Sequence, residues 1–542
     1  MKRLRLLSAW WAATIVAAAA HADPSYERLL RHVPADTATV VVIPSIDALV
    51  EGVLAFAREA GIPDVRIASE DIVEELGLRD ALIDASIIET DGPLLIVTQA
   101  EAVAPIVIVG LKPTKAKAAL ETAKIVDRAL IAAGSTEQLD AAVAGSTTRA
   151  KTIAEALGSL DDLRAALYVD REALATAIDD AFMSIEGVLA MIAVNPQVQG
   201  AMPVLRVVID GFRDLIDDTA ALIVRGTIGA DGVTLRSEAR FAADSETAAY
   251  LSQVSPMEQP LLSGLRGRDA PLLFGVGWKT AQPRVSFTER LAEALLTAAD
   301  DGAAEFDQMR AALSVYRRVA GYAGCMETTD GKVGLRYCYY ADDPAAVVEP
   351  LWKMGSLGPR TMAGVAPGID MTAESGTEQI GKRECRYVEV RFQSEDEAIL
   401  DTLTRIYGRA VRSYYYADAD GVHMVVAGPD VARGLVERDL AGETPSVTDD
   451  PRVRRAIDAI SARPQVIAML DLAGLLAKLA TSFPHLGLPA EMKKSPDAPY
   501  AVWGLYLEDR RARTELMLPA AAVKALIDVV EQPSSDSAPA SE

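Results

Sequence analysis

The chain has 542 residues, is half hydrophobic and carries a formal net charge of −23. That length exceeds one ordinary core, so two or more domains are expected, and the apolar content rules out wholesale disorder. So acidic a chain is a poor partner for nucleic acid or an anionic membrane surface, both of which attract basic patches.

The first 22 residues read as an export signal. Lys2, Arg3 and Arg5 form a basic start, Leu6–Ala19 is an apolar run too short to span a membrane comfortably, and Ala20-His21-Ala22 has the A-x-A form of a cleavage site. Cleavage after Ala22 leaves a mature chain of charge −26 (−23 − 3) starting at Asp23, periplasmic or secreted and without a transmembrane anchor. An oxidising compartment permits a disulfide, and all three cysteines, Cys325, Cys338 and Cys385, fall in the second half.

Ala38–Ala57 predicts a strand and then a helix capped near Ser45. Apolar strands follow at Pro93 and Pro105, and a helix is expected near Pro113. The chain then enters a stretch that it contains twice, once from Leu130 to Ile178 and again from Met424 to Leu479. Each copy runs from an apolar strand ending at Gly134 or Gly428, through two amphipathic stretches, to a second strand ending at Asp170 or Asp471. Asp at that point caps a helix whose apolar residues stand four and eight positions on: Leu174 and Ile178, or Leu475 and Leu479. A repeat of this length governs the fold reading.

Ser184–Phe212 is the most apolar part of the mature chain, but Pro196 and Pro203 divide it into two helices, packed on a sheet or serving as a lid. A second device is a hairpin followed by a helix. It is read at Asp231-Gly232, Asp330-Gly331, Asp420-Gly421 and Asp509-Arg510, where Asp-Gly favours a tight turn. Residues 255–268 lack either period and are expected to link a first domain, 23–254, to a second, 269–531. Amphipathic helices are expected from Phe287 and from Ala304, and residues 532–542 form a low-complexity tail. The resulting class is α+β: two tandem domains of hairpin–helix units, with mainly antiparallel curved sheets and helices on one face.

The residues that usually carry chemistry are sparse. The mature chain has His32, His423 and His485, far apart in sequence, with no HExxH and no GxSxG. Asp418-Ala419-Asp420-Gly421 suggests the middle of a calcium loop, but Tyr416 and Ala427 stand at two of its ligand positions, so a hairpin turn is expected. Gly275–Thr280 reads as a strand end, not a phosphate loop, and Glu238 as an outward-facing strand residue. Tyr414, Tyr415 and Tyr416 lie consecutively on a strand, so they divide between its faces and pack. No catalytic residue, cofactor or metal ligand is assigned. Cys325 and Cys338, on the two strands of one hairpin, are the candidate disulfide if the turn sets them opposite, with Cys385 as the competing partner.

The run HVPADTATVVVIPSIDAL after a signal peptide, the VVAGPDVARGL hairpin end and the YVD strand at Tyr168–Asp170 resemble exported bacterial envelope proteins of a large uncharacterised family. The resemblance covers most of the mature chain and lends no catalytic residue. It implies an envelope protein. The expected function is non-catalytic binding of a ligand or protein partner, with carriage of a lipid or other apolar molecule as the alternative and hydrolysis third.

Overall fold

The structure, a computed structural model, describes residues 25–531 apart from 83–84, 100–103, 114–116, 161–162, 177–182, 184–201, 281–314, 316–317, 330–331, 364–368, 395, 483–491 and 493–494. The export signal, most of Ser184–Phe212, the helices expected from Phe287 and Ala304, the Asp330-Gly331 turn, His485 and the C-terminal tail therefore lie outside the described residues. The fold is α+β, and every strand pairing among the described residues is antiparallel. It divides into two compact units: residues 1–180, 216–245 and 511–524, and residues 181–215, 246–510 and 525–542.

The first unit holds β1 (Thr37–Ile43), β2 (Leu94–Gln99), β3 (Ile106–Gly110), β4 (Ala123–Val126), β5 (Ala129–Ala132), β6 (Ala165–Asp170), β7 (Thr219–Gly229) and β8 (Gly232–Phe241). Their order across the sheet is β4-β5-β3-β2-β1-β6-β7-β8. Alternation sends neighbouring residues to opposite faces. Val40, Val42, Ile106, Ile108 and Ile131 pack against the helices Thr136–Ala144 and Thr147–Leu157 through Leu139, Ile153 and Leu157. Ile43, Val107, Val109 and Leu130 face the other way, onto Ile46 and Leu49 of the helix Ile46–Glu59. Both faces of this sheet are thus covered, which is why β3 is buried at every position. Each such aliphatic side chain contributes about 1.5–3 kcal/mol by leaving water. Ser45 caps Ile46–Glu59 as expected, its hydroxyl accepting from the Ala48 amide at 3.1 Å. No helix follows Pro113 among the described residues; Ala118 bridges to Leu82 and the chain enters β4 instead.

The second unit holds β9 (Val254–Pro256), β10 (Leu272–Thr280), β11 (Gly321–Thr329), β12 (Lys332–Tyr340), β13 (Ile369–Ile380), β14 (Arg383–Ser394), β15 (Ala410–Ala417), β16 (Val422–Ala427), β17 (Val466–Leu470) and β18 (Ala501–Glu508). The order is β13-β14-β15-β16-β12-β11-β10-β17-β18, with β9 on the end of β10. The last strand, β19 (Arg511–Pro519), pairs with β8 and belongs to the first unit. Residues 255–268, expected as a linker, lie within the second unit, where Leu261, Leu262 and Leu265 are buried.

The two orders match position by position. In chain order β1, β2, β3, β4, β5, β6 and β7 correspond to β10, β11, β12, β15, β16, β17 and β18, and each set is paired in the same sequence. The repeat visible at Leu130–Ile178 and Met424–Leu479 is therefore the middle of a longer one. The hairpin β13–β14 and the helix Glu397–Tyr407 have no counterpart among the described residues of the first unit.

Candidate functional site

The repeat places one side-chain arrangement in both units. In the second unit, Asp471 ends β17 and caps the helix Leu472–Ser482, its Oδ1 accepting from the Gly474 amide at 2.7 Å. Its Oδ2 lies 3.2 Å from Nη1 of Arg452, in the first turn of the helix Pro451–Asp458. In the first unit, Asp170 ends β6 and accepts from the Ala173 amide at 2.9 Å, while Arg149, in the first turn of Thr147–Leu157, reaches its Oδ2 at 2.5 Å. An N-cap carboxylate satisfies free amides of the helix it starts, and the arginine ties that cap to the preceding helix. The pair is deeper in the second unit, where Arg452 and Asp471 side chains are 7% and 1% exposed against 18% and 19% for Arg149 and Asp170.

Arg452 also meets Asp450 at 2.8 Å and Asp269 at 3.3 Å, and its guanidinium lies 5.1 Å from the centre of the Tyr500 ring. Burial works against its charge, but Asp450, Tyr500 and Asp471 together outweigh burial and raise its pKa. Tyr500 donates to the carbonyl of Ala270 at 2.6 Å, and burial pushes its own ionisation well up. Beside this cluster, entirely in the second unit, opens a cleft of about 310 Å³. Ala270, Leu273, Val447, Val453 and Tyr500 give it an apolar floor, and Arg268, Asp269, Asp449 and Asp450 give it a charged margin. Asp269 holds a positive φ of 50°, a conformation Asp tolerates better than most residues. Asp269 and Asp449 side chains are more than half exposed and each pairs with one arginine at 3.3 Å, Arg452 and Arg454 respectively, whereas Asp450 is committed to capping Pro451–Asp458.

A second buried network crosses the same unit. Arg336 of β12 pairs with Glu327 of β11 at 2.7 Å and with Asp439, which also accepts from Tyr416 at 2.7 Å. Tyr416 stacks on His423 at 5.1 Å, and His423 Nε2 lies 2.9 Å from Asp418, which Arg266 meets at 2.5 Å. Burial works to raise the Asp418 pKa, but the hydrogen bond from His423, the Asp420 amide and Arg266 overcome it and hold that carboxyl well below the usual range. The Asp418–Asp420 fragment is thus a hairpin turn, as read from sequence, with Asp418 accepting from the Asp420 amide at 2.9 Å. Among the described residues no group of His, Cys and carboxylates has metal-site geometry.

The candidate cysteines are not brought together. Cys325 lies opposite Arg336 and Cys338 opposite Ala323, so the two are diagonal neighbours, and both are free buried thiols. Diagonal positions sit about 7–8 Å apart, beyond disulfide reach. Cys385 is on β14 opposite Glu378 and is likewise free. Tyr414 and Tyr416 share one apolar cluster and Tyr415 another, as strand alternation requires. Glu238 does not face outward. It is buried beneath Arg240 at 2.6 Å and Arg225 at 3.7 Å, and those two arginines also donate to carbonyls at the C-terminal end of Thr147–Leu157. Gly275–Thr280 is the end of β10, as expected.

Sequence reading marked Asp170 and Asp471 as caps but missed both arginines. The signal available was positional: each arginine stands in the first turn of the repeat's second helix, after Ser146 or Asp450.

No family model matches the chain, and no curated protein matches it. Crystal forms III and I of TP0453 are similar at 10% and 11% identity, over 50% and 51% of this chain and 98% of theirs, with TM-scores of 0.19 and 0.17. Likeness of that degree carries nothing over to the present chain.

Proposed function

We propose that the chain is an exported, non-catalytic protein of the bacterial cell envelope that binds a ligand or a group of a partner protein in the cleft of its second unit. The observation that carries this reading is the division of labour around Arg452. Asp450 and Asp471 are bonded to that arginine and to helix amides, so they hold the wall in place and are poorly disposed to act as acid, base or nucleophile. The apolar floor and the more than half exposed carboxylates of Asp269 and Asp449, each ion-paired to one arginine (Arg452 and Arg454, at 3.3 Å), are what the cleft offers a ligand. At about 310 Å³ the cleft is at the small end of ligand pockets, a better match to a compact ligand or one inserted side chain than to a lipid chain. That favours binding over carriage of an apolar molecule.

Native mass spectrometry of protein recovered from the envelope fraction tests the reading. A bound mass is expected with the wild type and its loss with Asp449→Lys, a rim change that leaves the floor and the Arg452 cluster intact. Retention of the same mass by Asp449→Lys and by a second rim variant, Arg268→Glu, would place the ligand elsewhere.

A further inference from the structure

Arginines crowd one face of the strands β7, β8 and β19 in the first unit. Directly opposed residues of an antiparallel ladder lie on the same face, and here Arg225 stands opposite Arg236 and Arg240 opposite Arg511. Like charges so placed destabilise a strand pair. The repeated scaffold does not call for them. The strands β8 and β19 lie outside the repeated order, and Gly504 of β18, opposite Ile467, holds the place that Arg225 holds opposite Ala166. Arg236 is balanced by the buried Glu515 at 2.6 Å. The other three converge on one buried carboxylate: Glu238 meets Arg240 at 2.6 Å, Arg225 at 3.7 Å and Arg511 at 3.9 Å.

Three guanidiniums around one carboxylate leave two positive charges unmatched. The carbonyls of Ala156 and Leu157, which accept from Arg225 and Arg240, end the helix Thr147–Leu157 and supply about half a negative charge. Burial, and with it the repulsion of Arg240 and Arg236, pulls the Arg225 pKa down against the attraction of Glu238. Arg511 is the least committed of the three: its side chain is 52% exposed and makes no hydrogen bond among the described residues. We propose that Arg240 and Arg511 receive the phosphate group of a small, soluble phosphate monoester above Glu238. Such a group carries a charge of about −1.5 to −2 at pH 7 and three acceptor oxygens, which matches both the surplus and the paired guanidinium donors; a carboxylate matches only part of the charge. The chain's net charge of −23 repels an extended polyanion, whereas a small dianion meets the local surplus, because fields beyond about 8 Å are screened at physiological ionic strength.

The test uses the full chain. Isothermal titration with inorganic phosphate and with phenyl phosphate is expected to show saturable binding, and acetate to bind at least about tenfold more weakly. Arg511→Gln breaks no contact shorter than 3.9 Å, so it is expected to keep its melting transition and to weaken phosphate binding about tenfold or more. Arg79→Gln removes the same charge from an exposed arginine paired with Glu74, and is expected to change binding less than about twofold. Phenyl phosphate is expected to bind more weakly as pH falls through about 6, where the dianion takes up a proton while the arginines and Glu238, held below its usual range against burial by Arg240, Arg225 and Arg511, keep their charge. A wild type that binds no phosphate overturns the proposal. So does unchanged binding by Arg511→Gln, an equal loss with Arg79→Gln, or acetate bound as tightly as phosphate. Vesicles of phosphatidylcholine carrying phosphatidic acid are expected not to retain the protein; retention that Arg511→Gln abolishes would overturn the soluble source in favour of a lipid headgroup.

Discussion

Replacing Arg452 by Met removes the centre of the buried cluster while keeping an unbranched side chain over Tyr500. Asp471, 1% exposed, then keeps its bond from the Gly474 amide but loses the guanidinium 3.2 Å away. At an effective dielectric near 20 that attraction is worth about 5 kcal/mol, most of it offset in the wild type by desolvation of both groups. Removing one member of a buried pair leaves the other desolvated and uncompensated, so a loss of about 3–5 kcal/mol is expected. Arg149→Met in the first unit breaks a shallower pair and is expected to cost about 1–2 kcal/mol, between the surface and buried limits. Urea unfolding followed by tryptophan emission suits the comparison, since Trp278, Trp352 and Trp503 all lie in the second unit and report its transition. Asp471→Asn keeps a good cap without the charge. The double variant Arg452→Met/Asp471→Asn is therefore expected to be at least about 2 kcal/mol more stable than the sum of the single losses implies. A loss below about 1 kcal/mol for Arg452→Met, or single effects that simply add, would refute the view that this pair holds the cleft wall.

Burial pushes the Cys325 and Cys338 thiols up to about 12 and Cys385 up to about 11, so alkylation of the folded protein near neutral pH is expected to label none of them and alkylation in denaturant all three; a disulfide in non-reducing peptide maps would contradict the diagonal geometry. Asp418 has a folded pKa below its unfolded value of about 4, so its stabilising contribution is present above that pH and lost as pH falls through the lower folded value. The stability gap between wild type and Asp418→Asn is accordingly expected to narrow from about pH 5 downward, and a gap that widens in acid would reverse the sign. His423→Gln breaks the bond to Asp418 and the stack on Tyr416 and is expected to cost about 1–3 kcal/mol in stability while leaving ligand retention by the folded protein unchanged.

What was legible in the sequence was local. Alternation and turn residues located the β7–β8 and β15–β16 hairpins and the strands β18 and β19, and the glycine-ended strand, two helices and aspartate-ended strand located the repeat. The β13–β14 hairpin escaped for a physical reason. Its outer strand is exposed along most of its length, so no apolar alternation marks it, and its two-residue turn is Gly381-Lys382, with φ +59° at the glycine, in place of Asp-Gly. Strand order escaped because β12 beside β16 and β10 beside β17 are contacts across many intervening residues, which no period records.

The buried charges escaped for a different reason. Arg336, Glu238 and Glu515 occupy strand positions where polar residues ordinarily face water, and only what packs above them decides otherwise. Alternation gives a side chain's face but says nothing of that face's cover. A repeat supplies part of the missing information, because two copies of one fold must meet the same packing problem. Each unit ends a strand at an aspartate, starts a helix from it and sends an arginine from the helix before to neutralise it. The deeper cap has the arginine with more carboxylates, three at Arg452 against one at Arg149, while each guanidinium lies over one tyrosine ring, Tyr500 or Tyr168. The extra two, Asp269 and Asp450, are among the residues of the cleft's charged margin, with Arg268 and Asp449. The carboxylates that keep Arg452 satisfied in its buried position thus also shape the polar side of the cleft beside it.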